Sequence, residues 1–311
     1  MDWVERIGRR IKLRDLHILM TVSKTGSMGR AASELAVSQP VVSKAISDLE
    51  LAVRLRLLDR GPRGVEPTIY GRALLKWGTA VIDDLRRGVK ELEFLTDPTV
   101  GELRVGCPEP LATGFVATVV ERMSRQYPKV VFHVVPADRV TLVEHDLPQR
   151  RVELVVTATP GLAPRPDTDT ELLFDDRHVV LASPQSKWAR RRKMTLSELL
   201  HEPWVLPPAE TVVGMEIAKV FRANGLEPPV AHAVTFSIPL HFHLLATGRM
   251  ITMLPRSTVA FGRRLPLKTM PVRMTALPSP TCIVTLKNRT LGPLAEEFIA
   301  AARKLGRSFR T

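Results

Sequence analysis

Residues 36–50 read AVSQPVVSKAISDLE, and in them Val42, Ile46 and Leu49 recur at i, i+4 and i+7. That spacing marks one face of an α-helix, so these three bury while Gln39, Val41, Ser43, Lys44 and Ser47 face outward. Ser38 stands at the N-cap, and Gln39 and Pro40 occupy the first turn, where a missing backbone N–H costs nothing. A short helix with small polar and basic side chains at its amino end, opposite an apolar face, offers a surface that something outside the protein can meet.

Upstream, LRDLHILMTVSKTGS places Leu13, Leu16 and Leu19 or Met20 on one face and stops at Thr25-Gly26, as an amphipathic helix ended by glycine does. Ser27 caps a second helix, whose Ala31, Ala32 and Leu35 form a narrow face that permits close helix approach. Ala36-Val37 is the turn into the third. Two helices joined by a short turn, the second presenting its amino end, satisfy what major-groove reading requires. A groove about 12 Å wide admits one helix, so Gln39 can pair with adenine while Ser43 and Lys44 reach bases or phosphates. The competing reading is a plain helical core subdomain. After it, GPRGVEPT (61–68) suits a hairpin or wing, with Arg60 and Arg63 placed to meet the phosphate backbone.

At 311 residues the chain exceeds one ordinary core, and two to three domains are expected. Cys107 and Cys282 are too few for a disulfide framework or a spaced metal site and read as small buried hydrophobes. No apolar run approaches the roughly 18–20 residues of a membrane span, and MDWVERIGRRIK lacks a signal-peptide apolar block, so no membrane partner and a cytoplasmic location are expected. The formal charge of +13 favours polyanions. It is not confined to the first helices: residues 1–95 hold 17 Lys+Arg against 12 Asp+Glu, net +5, and the remainder 28 against 20, net +8. The clusters at Lys187, Arg190, Arg191, Arg192 and Lys193, and at Arg303, Lys304, Arg307 and Arg310, read as solvated faces.

From Thr68, Leu75, Gly78, Ile82, Leu85, Val89 and Leu92 alternate spacings of three and four, which is a coiled-coil seam or a core-facing surface helix, with Asp83 and Arg87 paired at i, i+4. TDPTVG (96–101) reads as a hinge. Beyond it ELRVGC, a helix near FVATVVERMSRQYP, KVVFHVV, a helix through LVEHDLPQRR, and VELVVT make a βαβαβ unit. RHVVLAS, EPWVLP, a helix near MEIAKVFRANG, AHAVTF, a helix in SIPLHFHLLATG and RMITMLP form a second α/β set. LGPLAEEFIAAARKLG is a last helix, opened by Pro293 and closed by Gly306.

The run GSMGRAASELAVSQPVVSKAISDLE, continued by LRLLDRGPRGVEPTIYGRALL, resembles the winged helix-turn-helix of the LysR-type transcriptional regulators over about seventy residues. The resemblance extends in layout to a dimerising linker helix and to two lobes similar to periplasmic binding proteins, with TFSIPLHFHLLATGRMITMLP matching a second-lobe run. It implies an α/β fold with a winged helix-turn-helix at 1–69, a linker helix at 70–96 and an effector-binding domain at 97–311. Lobe I would span about 101–173 and 279–311, and lobe II about 174–278. It implies DNA contacts at Ser38, Gln39, Pro40, Val41, Ser43 and Lys44, with Arg60 and Arg63 on the wing and Ser27 and Arg30 near phosphates. The partners implied are promoter DNA, a small-molecule effector, RNA polymerase and further copies of the chain, as homodimer or homotetramer, with no cofactor. Three positions depart from the family pattern: Lys44 stands for a frequent Arg, Arg54 for a helix-ending Gly and Leu58 for a Phe.

The cleft positions that the resemblance implies are Pro108, Glu109, Pro110 and Leu111, then Arg139, then Pro207, Pro208 and Thr211, and finally Phe236 and Ser237. Ligands of such domains sit outside the carboxyl ends of the strands. Arg139, where the family often has a small hydroxyl residue, would clamp a small organic anion, unless it is a surface arginine paired with Asp138 or Glu109. His241 and His243 lie about 200° apart on a helix and cannot chelate one ion. Ser183 and Ser237 lack a G-x-S-x-G elbow and no strand is followed by a GxG, so no catalytic or metal residue is assigned and an enzyme is not expected. A ligand-binding protein without DNA function remains the alternative, and after it an enzyme.

Overall fold

Gly26 ends α1 (Leu13–Thr25) in the left-handed conformation at φ 64°, its amide donating to Val22 O at 2.8 Å. The computed structural model describes residues 10–61, 64–97, 100–158, 165–261 and 267–309, without the side chains at 87, 90, 91 and 93–96. The chain divides into two units, Met1–Leu92 and Glu93–Thr311.

In the first unit, Ser27 caps α2 (Met28–Glu34), its Oγ accepting the Arg30 amide at 3.4 Å. Ala36 takes a left-handed φ of 52° and turns the chain into α3 (Gln39–Val53). Val42, Ile46 and Leu49 are fully buried there against Leu16, Ile18, Leu19 and Val22 of α1 and Ala31 and Ala32 of α2. Leu13 departs from the expected stripe: as the first helical residue it stays 44% exposed, and Ile18 and Val22 complete the face instead.

Arg54 takes the left-handed C-cap of α3 at φ 59°, a conformation that costs a side-chain-bearing residue about 1–2 kcal/mol. The same corner is held by Glu50, whose Oε1 accepts the Leu57 and Leu58 amides at 2.8 and 3.3 Å. Leu58 is buried and starts β1 (Leu58–Gly61), which pairs antiparallel with β2 (Gly64–Pro67) as the expected hairpin. Val65 donates to Gly26 O at 3.0 Å and fastens this wing to the turn between α1 and α2.

Helix α4 (Ile69–Thr96) opens on Thr68, whose Oγ1 accepts the Gly71 amide at 3.0 Å. The expected seam divides. Leu75 packs on the core of α1–α3 and Gly78 is buried against Leu16, whereas Leu85, Val89 and Leu92 are exposed together with Trp77 and Val81. Arg87 is among the side chains not described; the pair described on this stretch joins Arg86 to Asp83 at 3.6 Å.

In the second unit the first lobe runs β3 (Val100–Cys107), α5 (Ala117–Gln126), β4 (Lys129–Pro136), β5 (Leu154–Ala158) and β6 (Thr168–Asp176). The second lobe contains β7 (His178–Ala182), β8 (Met194–Thr195), β9 (Trp204–Leu206), α6 (Val212–Ala223), β10 (Ala233–Val234), α7 (Ile238–Ala246) and β11 (Ile251–Pro255). After β12 (Lys268–Thr269) and β13 (Val272–Arg273) the chain returns to the first lobe with β14 (Ser279–Leu286) and α8 (Pro293–Arg307). One sheet has the order β4-β3-β5-β14-β6, its first three strands parallel; the other has the order β10-β9-β11-β7-β12.

Four details differ from the sequence expectation. The helix near FVAT starts earlier, at Glu109, and passes through a π-helical stretch, Ala112–Val116, into α5. LVEHDLPQRR supports only a π-helical Thr141–Asp146 before Pro148, which offers no amide to continue it. Strands β6 and β14 were not legible as strands; Thr281–Val284 is buried on consecutive residues, without the alternation that marks a strand. Gly306 does not close α8, which runs on to Arg307; a side chain there would lie 3.0 Å from Leu173 O, so it is a close-approach position.

Cys107 and Cys282 are buried and joined by no disulfide among the described residues, and burial pushes the Cys107 thiol up to about 12. Among the described residues no helix is long and apolar enough to cross a membrane.

His178, at the start of β7, is buried and its pKa is lowered to about 4 by desolvation. A base depressed in this way keeps its contribution above the unfolded value near 6.5 and loses it as pH falls towards 4, because the unfolded chain binds the proton first. Between pH 7 and pH 5 the loss from His178 is about 2 kcal/mol. Glu216 and Asp176, both raised by burial, act in the opposite sense. The difference in urea-unfolding free energy between wild type and His178→Gln across these two pH values isolates the histidine, and the variant is expected to lose about 2 kcal/mol less. Equal losses would show that His178 does not titrate as described.

Candidate nucleic-acid interface and interlobe cleft

The first unit gathers the expected DNA-facing residues at the junction of α2 and α3. Gln39, Pro40 and Lys44 are exposed and Val41 and Ser43 half-buried, and none of them belongs to the buried face of α3. Gly29 of α2 sits beside this end: a Cβ there would lie 3.8 Å from Gln39 Oε1 and 3.9 Å from Ser27 Oγ, ordinary contact distances. Arg30 is exposed on α2, and Arg60 on the wing strand β1. Arg63 lies outside the described residues.

Ser38 occupies the N-cap as expected, but its hydroxyl makes no capping bond. The reason is local. An N-cap oxygen takes the amide of the second or third helical residue; here the second is Pro40, which has none, and the Val41 amide donates to Ser38 O at 3.0 Å. The Ser38 side chain is thus left exposed beside Gln39. The arrangement has the shape and the donors that groove reading needs: a supported helix whose N-cap and first two turns carry an amide, two hydroxyls and an ammonium.

In the second unit the expected cleft residues follow the carboxyl ends of β3, β4, β9 and β10, and most are already engaged. Pro108 caps the short helix at Glu109–Leu111, and Leu111 is buried in the first lobe. Glu109 reaches across: its Oε2 accepts the Ile238 amide at 3.2 Å, at the amino end of α7, where a negative charge is favoured. Thr211 caps α6, accepting the Gly214 amide at 3.1 Å and donating to Pro208 O at 2.7 Å. Ser237 caps α7, accepting the Leu240 amide at 3.4 Å. Pro207 is buried, Pro110 half-buried, and Phe236 exposed.

Arg139 pairs with neither Asp138 nor Glu109. Its Nη1 lies 3.3 Å from Glu216 Oε1 on α6 and donates to Ala158 O at 3.2 Å, with side chains 10% and 15% exposed for Arg139 and Glu216. Asp138 instead accepts the amides of Val140 and Thr141 at 2.9 and 3.0 Å. Burial raises the Glu216 carboxyl above its ordinary range and outweighs the lowering by Arg139. Glu216 was absent from the expected set; the signal available was one acid on the MEIAKVF helix, directly before the buried Ile217.

His241 is buried, with Nδ1 2.9 Å from Thr252 Oγ1 and Nε2 3.2 Å from Thr235 O, while His243 is exposed, so the two do not converge. Among the described residues no group of three or more His, Cys, Asp or Glu could hold a metal ion. Two cavities, of about 140 and 370 Å³, are in the second lobe, beside Trp188 and Arg191 and beside His201 and His232. None of the expected cleft residues lines either one.

Residues 13–72 match the family model of the bacterial regulatory helix-turn-helix protein, lysR family, and residues 96–307 that of the LysR substrate binding domain. The chain is 25% identical over 296 residues to the HTH-type transcriptional regulator GbpR of Azospirillum brasilense, covering 94% of this chain and 86% of that one. It is 25% identical over 295 residues to the regulator TdcA of Escherichia coli, covering 94% and 93%. Among solved structures it is similar in fold to full-length CbnR in complex with its target DNA, at 19% identity and a TM-score of 0.65, covering 95% of this chain and 100% of that one. Full-length OxyR from Pseudomonas aeruginosa gives 17% identity and a TM-score of 0.64, covering 96% and 95%. With both family models matched in order along nearly the whole chain, the protein belongs to the LysR family of transcriptional regulators.

Proposed function

We propose that this regulator acts in the cytoplasm, reads its operator through Ser38, Gln39, Pro40, Val41, Ser43 and Lys44, and grips flanking phosphates with Ser27, Arg30, Arg60 and Arg63. The observation that carries the reading is the amino end of α3, exposed and polar on a helix whose opposite face is fully buried. Lys44 supplies a point charge in place of the bidentate fork of an arginine, which suits a phosphate or a single base acceptor. The protein works as a homodimer or homotetramer through the exposed apolar stripe of α4, and meets RNA polymerase at its promoters. A small organic anion enters the cleft between the lobes and shifts the populations of oligomer geometries, and with them the spacing of the recognition helices.

The test is fluorescence anisotropy with DNA from upstream of the protein's own gene, in a salt series beside a scrambled duplex. Binding at least about a thousandfold tighter to the upstream DNA, with affinity falling steeply as salt rises, is expected. Equal affinity for the two duplexes would count against a reader of that sequence.

A further inference from the structure

Among the contacts between the lobes are two in which an own-chain carboxylate sits on a group suited to an external anion. Glu109 takes the Ile238 amide, and Glu216 takes the Arg139 guanidinium. The second is the more telling. Arg139 follows β4 and is anchored to the carboxyl end of β5 through Ala158 O, so it belongs to the first lobe; Glu216 rides on α6 of the second. A guanidinium this little exposed needs a charge-bearing acceptor, so whatever displaces Glu216 must bring one.

We infer that Glu216 fills the effector's anion position in the unliganded protein, so that an entering carboxylate or phosphate replaces it on Arg139 and releases this one tie between the lobes. This rests on the cleft being the effector site. The exchange explains how binding is coupled to lobe arrangement: a ligand shifts an equilibrium only by its differential affinity for two states, and competition with Glu216 supplies that difference. The anion is seated on the first lobe, and the freed carboxylate, which burial disfavours as a charge, regains water. A neutral ligand cannot make the exchange.

The experiment titrates sodium acetate, sodium succinate and inorganic phosphate into the full chain by isothermal calorimetry. Glu216→Gln, which keeps the shape and removes the competing charge, should bind at least one of the three about tenfold or more tighter than wild type. Glu216→Met, of similar length, carries the same expectation as an independent variant. Adding Arg139→Gln to either should abolish the gain. Affinities unchanged from wild type in both single variants, or a gain that survives loss of Arg139, would overturn the inference. A gain that requires Arg139 but leaves the footprint on operator DNA unaltered by the anion would support the exchange and remove the effector-responsive reading instead.

Discussion

Gly71→Ala is expected to unfold the DNA-binding unit while leaving the two lobes intact. A Cβ at this position would lie 2.0 Å from Leu57 O and 3.0 Å from Leu57 C, both backbone atoms. That stretch of backbone cannot retreat cheaply, since Leu57 O accepts the Thr68 amide at 2.9 Å and the Leu57 amide is bound to Glu50. Thr68 adds a hydroxyl bond to Arg56 O at 2.7 Å. The first turn of α4 is therefore pressed onto the α3–β1 corner, and a methyl group there costs about 3 kcal/mol or more, well beyond the ~1 kcal/mol that Ala gains over Gly in a helix. Gly88 of the same helix is the control: nothing lies within 4 Å of its added Cβ, so Gly88→Ala should stabilise by up to ~1 kcal/mol. Urea unfolding followed by circular dichroism reads both. An unchanged first transition in Gly71→Ala would mean that this contact is not made in solution.

The second large effect concerns the exposed stripe of α4. Trp77, Val81, Leu85, Val89 and Leu92 are between 44% and 68% exposed, a contiguous apolar run on one helix that water disfavours and a second copy would cover. Leu85→Glu with Val89→Glu places two charges in that stripe and, on the proposed homodimer reading, should give a monomer by sedimentation velocity. On the same proposal two linked readers grip an operator with two half-sites, so loss of linkage should weaken operator binding by about two orders of magnitude or more. The lobes should keep their own unfolding transition. A variant that stays dimeric would place the interface elsewhere.

The first unit was legible because its determinants are short-range. Gly26, Ser27, Pro40 and the i, i+4, i+7 spacing of Val42, Ile46 and Leu49 each fix a local event, and the structure realises all of them. The linker helix was legible as a helix, but a repeat does not name the partner of each apolar residue. Leu75 and Gly78 turn to their own unit, and Trp77 and Val81 join the exposed stripe. The order of strands and helices announced two lobes, yet β14 escaped because a strand buried on both faces carries no period of two. Glu216 escaped for a different reason. Its partner is 77 residues away in the other lobe, and no local pattern encodes a pair that only the folded cleft brings together.

The measurement that bears most directly on the whole account is the affinity of Gln39→Ala, Ser43→Ala for upstream and scrambled DNA, in the same salt series as wild type. Each lost base contact should cost about 1–3 kcal/mol, so preference for the upstream duplex should collapse by about fivefold or more per contact, while salt-sensitive binding to any duplex persists. Both side chains lie off the buried face, so the unfolding transition should not move. Undiminished preference in this variant would contradict the claim that the amino end of α3 reads the operator.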